Sequence, residues 1–180
     1  MILITGKSDL ATAIAASMPG CVIVGRPDYD FSKKEDCDRL IKDFPNPSVI
    51  INTVGVITKD CWDSITTNYL APVYITTQYF DLLDAGHIIN ISSASSWWSS
   101  YPGISEERLY YGLAKHSLSE FGRQFNRAQV DASKQVCITT IEPGVFSSKM
   151  SGHKGMDINK VVVAVEQAIL HRMQQVSLIK

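Results

Sequence analysis

Short apolar, β-branched runs alternate with stretches of helical periodicity from one end of the chain to the other. Six runs read as strands, at residues 2–5, 21–25, 49–52, 87–91, 136–141 and 176–179. Between them the spacing turns helical. Ala11, Ile14, Ala15 and Met18 recur at helix intervals, and Pro19-Gly20 stops that helix. Residues 33–44 form a polar amphipathic helix ended by Pro45 and Pro47, and residues 61–83 a long helix in which Pro72 predicts a kink. Residues 105–132 carry Ala114, Leu118, Phe121 and Phe125 on one side, with Glu106 and Glu107 suiting the positive end of the helix dipole. A last helix is expected over 157–174. Strand and helix alternating in this way predict one doubly wound α/β domain over residues 1–180, with about six mainly parallel strands and helices on both faces.

Composition narrows the function classes. Hydrophobic residues make up 45% and charged residues 19%, which is ordinary for a globular chain. A formal net charge of -1 supplies no global basic field for nucleic acid or an acidic membrane. Met1 opens directly into Ile2-Leu3-Ile4, so no charged leader is expected, and no apolar run reaches membrane-spanning length. Cys21, Cys37, Cys61 and Cys137 are far apart and read as reduced thiols in a soluble, cytoplasmic setting. His87, His116, His153 and His171 have no metal-ligand spacing, so no metal is expected.

In a sheet of this kind ligands bind beyond the carboxyl ends of the strands. Those ends carry unusual residues: Thr5-Gly6, Gly25-Arg26, Asn52 to Gly55, Ser92-Ser93 and Glu142-Pro143-Gly144. The turn from Thr5 to Thr12 joins strand to helix, where backbone N–H groups and the helix dipole hold a pyrophosphate. The same residues also make an ordinary turn capped by Ser8 or Asp9. Gly6-Lys7-Ser8 imitates the end of a P-loop, but the position five residues earlier is Met1 and not the glycine that loop requires. Tyr111 and Lys115 stand four apart on one helix face, where an ammonium favours phenolate and makes the tyrosine a usable acid/base. The hydroxyls of Ser92 and Ser93, at the end of the preceding strand, can polarise a carbonyl.

Taken in order, Thr5-Gly6, Asn52-Thr53-Val54-Gly55, Trp62 through Asn68 with Ala71-Pro72, Asn90-Ile91-Ser92-Ser93, Tyr111 to Lys115, and Pro143-Gly144 with Ser148 resemble the short-chain dehydrogenase/reductases over nearly the whole chain. The resemblance implies a Rossmann-type fold and an oxidoreductase that moves hydride between NADP(H) and a carbonyl or alcohol. It implies a catalytic tetrad of Asn68, Ser93, Tyr111 and Lys115, with Asn68 fixing a water and Lys115 depressing the Tyr111 pKa. Ser92, Ser95 and Ser96 lie close by, and Ser93 takes the family position. The cofactor would contact Gly6, Ser8, Asp9, Leu10, Arg26, Asp30, Asn52, Thr53, Val54, Gly55, Tyr111, Lys115, Pro143, Gly144, Val145 and Ser148. Arg26 after the second strand suits the 2′-phosphate of NADP, whereas Asp28 would restore NAD. A homodimer or homotetramer built on the long helices is a further implication.

The chain departs from the family in three places. A helix and most of an edge strand are missing between the second strand and Asp30. Residues 149–156 are short where the family folds a substrate flap, which predicts a cleft that is open or completed by another subunit. Leu10 and Thr12 replace two glycines of the phosphate turn. The loop with Trp97, Trp98 and Tyr101 lines a substrate site, lines a subunit interface, or packs on its own domain. Two other functions stay open: a non-catalytic NADP-binding sensor or scaffold, and a sugar-nucleotide reductase or epimerase of the extended relatives.

Overall fold

In the computed structural model, which describes residues 1–94, 103–128 and 134–178, all six expected strands form and lie in one parallel sheet. They are β1 (Ile2–Thr5), β2 (Cys21–Val24), β3 (Val49–Asn52), β4 (Ala85–Ile91), β5 (Gln135–Pro143) and β6 (Gln175–Leu178), in the order β2-β1-β3-β4-β5-β6. Strand order reverses beside β1, so a crevice opens between the ends of β1 and β3. The helices are α1 (Asp9–Ser17), α2 (Lys34–Asp43), α3 (Cys61–Ile65), α4 (Ala71–Leu82), α5 (Glu106–Ala128) and α6 (Ile158–His171). Residues 95–102, where Trp97, Trp98 and Tyr101 stand, and residues 129–132 of the helix expected over 105–132 lie outside the described residues.

Each face of the sheet buries its own apolar cluster. Leu3, Ile50, Ile88 and Ile138 meet Ile75, Tyr79 and Leu40 on the side of α2 and α4. Ile4, Ile51, Ile89 and Ile141 meet Leu10, Ile14, Val161 and Val165 on the side of α1 and α6. Burial on both sides explains why the strands read as continuous apolar runs. Among the described residues no helix is long and apolar enough to cross a membrane.

The expected kink at Pro72 appears as a π-helical turn, Thr66–Leu70, between α3 and α4. Pro72 has no N–H for the carbonyl of Asn68 four residues back. The ladder takes up the slack one residue earlier, where Ala71 N donates to Thr66 O, five residues back.

Candidate active site

The crevice at the reversal point is a groove lined by Gly6, Lys7, Ser8, Gly25, Arg26, Tyr29, Asp30, Phe31, Thr53, Val54, Gly55, Val56 and Thr67. Its floor depends on Gly6, which has φ +96° and lies so close to β3 that a Cβ would come within 2.8 Å of Val54 Cα. Thr53 locks the same junction, donating through Oγ1 to Thr5 O at 2.8 Å. Ser8 caps α1 by accepting from Ala11 N at 3.1 Å, which leaves the first N–H groups of the helix turned to the groove end.

At the outer end, the loop after β2 puts Arg26 and Asp30 face to face at 2.8 Å. Burial works to raise the Asp30 carboxyl, but its bonds from Arg26 and from Ser32 N and Oγ outweigh this and bring it down to about 2. Lys7, beside Gly6, pairs with Asp28 at 2.8 Å.

At the inner end stand Tyr111 and Lys115, one turn apart on α5. Lys115 is 2% exposed, and its ammonium donates to Val54 O at 3.2 Å and Ile91 O at 2.9 Å. Burial pulls it down to about 7. Its Nζ is 5.9 Å from the centre of the Tyr111 ring. Burial pushes the Tyr111 phenol up to about 12, against a smaller downward pull from its hydrogen bond with Ser93.

The neighbouring serines divide by partner. Ser92 Oγ donates to Lys115 O at 2.6 Å and accepts from Ser119 Oγ at 2.7 Å, which ties β4 to α5. Ser93 is the one bonded to Tyr111. Ser95 and Ser96 lie outside the described residues.

Asn68 sits inside the π turn and is fully buried. Its Oδ1 accepts from Val56 N at 2.9 Å, and its Nδ2 donates to Val56 O at 2.8 Å and Ser64 O at 2.9 Å. Both ends of the amide are thus committed to protein groups, and the side chain holds the Val54–Val56 segment. A Cβ on Gly55 would come within 3.3 Å of Asn68 Oδ1 and 3.8 Å of Lys115 Nζ, so Asn68 and Lys115 flank this glycine.

Of the residues expected to meet a cofactor, Gly6, Ser8, Arg26, Asp30, Thr53, Val54 and Gly55 line the groove. Three others are placed differently. Leu10 is 3% exposed, packed in the α1–α6 cluster. Asp9 accepts from Lys149 N at 2.6 Å through Oδ2. Asn52 is buried in the sheet, accepting from Thr5 Oγ1 at 2.9 Å and donating to Asn90 Oδ1 at 2.8 Å, a row that crosses β1, β3 and β4 in register. After β5, the backbone of Gly144 donates to Leu178 O at 2.9 Å, and Val145 is half exposed. The segment after β5, expected to be short where the family folds a flap, is bonded to itself: Met156 N donates to Val145 O and Ser147 N to Met156 O, both at 2.9 Å. Ser148 caps the short 3-10 turn Lys149–Ser151 within it. Pro143, at the end of β5, is buried.

Lys7, Tyr29, Phe31, Val56 and Thr67 are groove residues that sequence reasoning passed over. Lys7 was legible from its place beside Gly6; the aromatic pair follows the strand whose end carries Arg26, though only the fold turns Phe31 inward.

No family model matches the sequence. Solved structures match nearly all of it. A short-chain dehydrogenase from Burkholderia cenocepacia J2315 in complex with NADP superposes with a TM-score of 0.83 at 15% identity, over 99% of this chain and 87% of that one. Serine dehydrogenase from Escherichia coli gives 0.79 at 18% identity, over 99% and 96%. The protein lin1944 from Listeria innocua gives 0.79 at 14%, over 99% and 98%. With its all-parallel six-stranded sheet and these likenesses, the chain has the fold of the short-chain dehydrogenase/reductases.

Proposed function

We propose that the chain works as one domain, an NADP(H)-dependent oxidoreductase moving hydride between the nicotinamide and a carbonyl or alcohol carbon, with Tyr111 as general acid/base. The observation that carries this reading is the bond between Ser93 and the Tyr111 phenol at the carboxyl edge of the sheet, with buried Lys115 one turn further along the same helix.

The groove suits an anionic dinucleotide on its own terms. It runs past the start of α1, whose first N–H groups have no acceptor inside the helix. It has Lys7 and Arg26 at one end, and at the other Val54, whose carbonyl Lys115 bonds. Gly6 and Gly55 supply the close backbone approach. Bound nicotinamide supplies the hydride donor or acceptor. In reduction, Tyr111 gives its phenolic proton to the substrate oxygen; in oxidation it takes the hydroxyl proton. Ser93 donates to the same oxygen and holds it against the phenol. Because burial keeps Tyr111 protonated up to about 12, it rests in the acid form. Lys115, near 7, changes charge around neutral pH and serves as the group that passes the proton on. Asn68 is a positioning residue, holding the segment whose Val54 carbonyl orients Lys115.

Arg26 and Lys7 support NADP(H) over NAD(H), and the exposed Trp62, Leu70 and Leu113 support a homodimer or homotetramer. The test is titration with NADPH and NADH, then turnover on a panel of ketones, aldehydes and pterins. Binding with turnover that Tyr111→Phe abolishes is the expected result. A dinucleotide-binding sensor or scaffold is the second reading, favoured by the short, self-bonded loop after β5. It predicts tight NADPH binding with no turnover across the panel.

A further inference from the structure

Tyr111, Lys115 and Ser119 stand four residues apart in turn, on one stripe of α5. Each bonds a different residue at the end of β4. Ser93 bonds the Tyr111 phenol, Lys115 Nζ donates to Ile91 O at 2.9 Å, and Ser119 Oγ donates to Ser92 Oγ at 2.7 Å. Three consecutive strand-end residues are thus fastened to three successive turns of one helix.

The fastening at Ser92 serves no ligand. Ser92 and Ser119 are 2% and 1% exposed, and neither lines the groove. A serine hydroxyl has one proton to give. Ser119 donates to Ser92, which leaves the Ser92 proton for the Lys115 carbonyl at 2.6 Å. That carbonyl already has the N–H of Ser119, four residues on, as its partner in the helix ladder. The serine bond is therefore surplus to the helix, and what it adds is a link from helix to strand.

Ser92 is held from the other side as well, its N–H donating to Ile141 O at 2.8 Å. One residue joins β5, β4 and α5 immediately before Ser93. The packing around it is close, since Gly122, further along α5, has no room for a Cβ against Thr140 Oγ1 of β5. Ser93 and Tyr111 belong to different elements, so the distance between their hydroxyls follows from how β4 is seated on α5.

Resting on the oxidoreductase reading above, we propose that Ser92, its hydroxyl oriented by Ser119, is a positioning residue for the proton-transfer step. It fixes the seat of β4 on α5 and with it the reach from Ser93 to the Tyr111 phenol. Neither serine touches the reacting atoms. When Ser92 loses its hydroxyl, Ser119 Oγ can turn back onto the Lys115 carbonyl, four residues earlier in its own helix. No buried hydroxyl is then orphaned, and the loss falls on the link between the two elements.

The test measures the single-turnover rate with NADPH and a ketone or aldehyde that the wild type reduces, NADPH affinity by fluorescence, and stability in urea. It compares wild type, Ser92→Ala, Ser119→Ala and Leu118→Val, the last loosening a fully buried apolar contact of the same helix. Ser92→Ala slows the single turnover by about tenfold to a hundredfold, as expected when reacting groups drift by up to about 1 Å, and leaves NADPH affinity close to wild type. Ser119→Ala, which leaves Ser92 its bond to the Lys115 carbonyl, is slowed less. Leu118→Val loses stability and keeps its rate. A Ser92→Ala protein as fast as wild type, or one whose slowing Leu118→Val reproduces, overturns this inference and leaves the oxidoreductase reading standing. A wild type that turns over no substrate overturns that reading, and this proposal with it.

Discussion

Asn68 grips Val56 from both sides, donating to its carbonyl at 2.8 Å and accepting its N–H at 2.9 Å. A helix side chain thereby completes the hydrogen bonding of a loop that has no strand partner. Asn68→Ala leaves these half-buried backbone groups without their partner and costs about 1–3 kcal/mol of stability. Asn68→Asp keeps the acceptor, loses the donor, and falls between. Urea denaturation alongside NADPH titration checks both; an alanine variant as stable as wild type with unchanged cofactor affinity sinks the positioning role.

Tyr111→Phe removes the proton-transfer group while keeping the ring that lies 5.9 Å from Lys115 Nζ. Turnover is expected to fall by about 10²–10⁴ or more. NADPH binding should stay close to wild type. Single-turnover kinetics with a competent substrate reads the first effect and fluorescence titration the second; equal activity in the variant refutes the acid/base assignment.

Lys115 links stability to alkaline pH. Its folded value is about 7 against an ordinary 10.5, so between those values the unfolded chain binds more protons. Stability contributed by this residue therefore rises with pH across that window. Lys115→Met removes the slope. Guanidinium chloride melts at several pH values from neutral to 10 compare the two, and parallel curves rule the linkage out.

His87 acts on the acid side. Burial takes its imidazole down to about 4 from an ordinary 6.5, and its Nε2 meets Thr139 Oγ1 at 2.6 Å. The unfolded chain again binds more protons between these values, so stability falls as pH drops from 6.5 toward 4. His87→Gln does not titrate there, and its melting temperature should vary less over that interval than that of wild type.

Gly6→Ala meets two obstacles at once, φ +96° and a Cβ within 2.8 Å of Val54 Cα. The strained backbone alone costs about 1–3 kcal/mol. Cofactor affinity should drop together with stability, because the displaced Val54 carries the carbonyl that Lys115 bonds. A variant with wild-type stability and affinity contradicts the close approach.

The architecture was legible because the central strands are buried on both faces, and that writes an unbroken apolar run into the sequence. Individual site residues were harder to read. Residue type made Asn52 look like a ligand contact, yet the register that aligns Thr5, Asn52 and Asn90 turns its amide into the sheet. Leu10, expected among the cofactor contacts, has its side chain packed into the core between α1 and α6. Pro72 announced a break, but the place where the helix absorbs it depends on which carbonyl loses its donor and on the packing of Asn68. The Tyr111 phenol is pushed up by its surroundings, which spacing along the helix does not report. Spacing along a helix reports which charge is near, whereas burial, which dominates here, comes from residues far away in sequence.

The bond from Lys149 N to Asp9 joins residues 140 positions apart and buttons the loop after β5 onto the start of the first helix. The groove's earliest wall is laid down by residues made within the first turn of synthesis, but this clasp must wait until most of the chain has emerged. A chain cut short before Lys149 would keep the opening strands but lack this fastening together with α6 and β6.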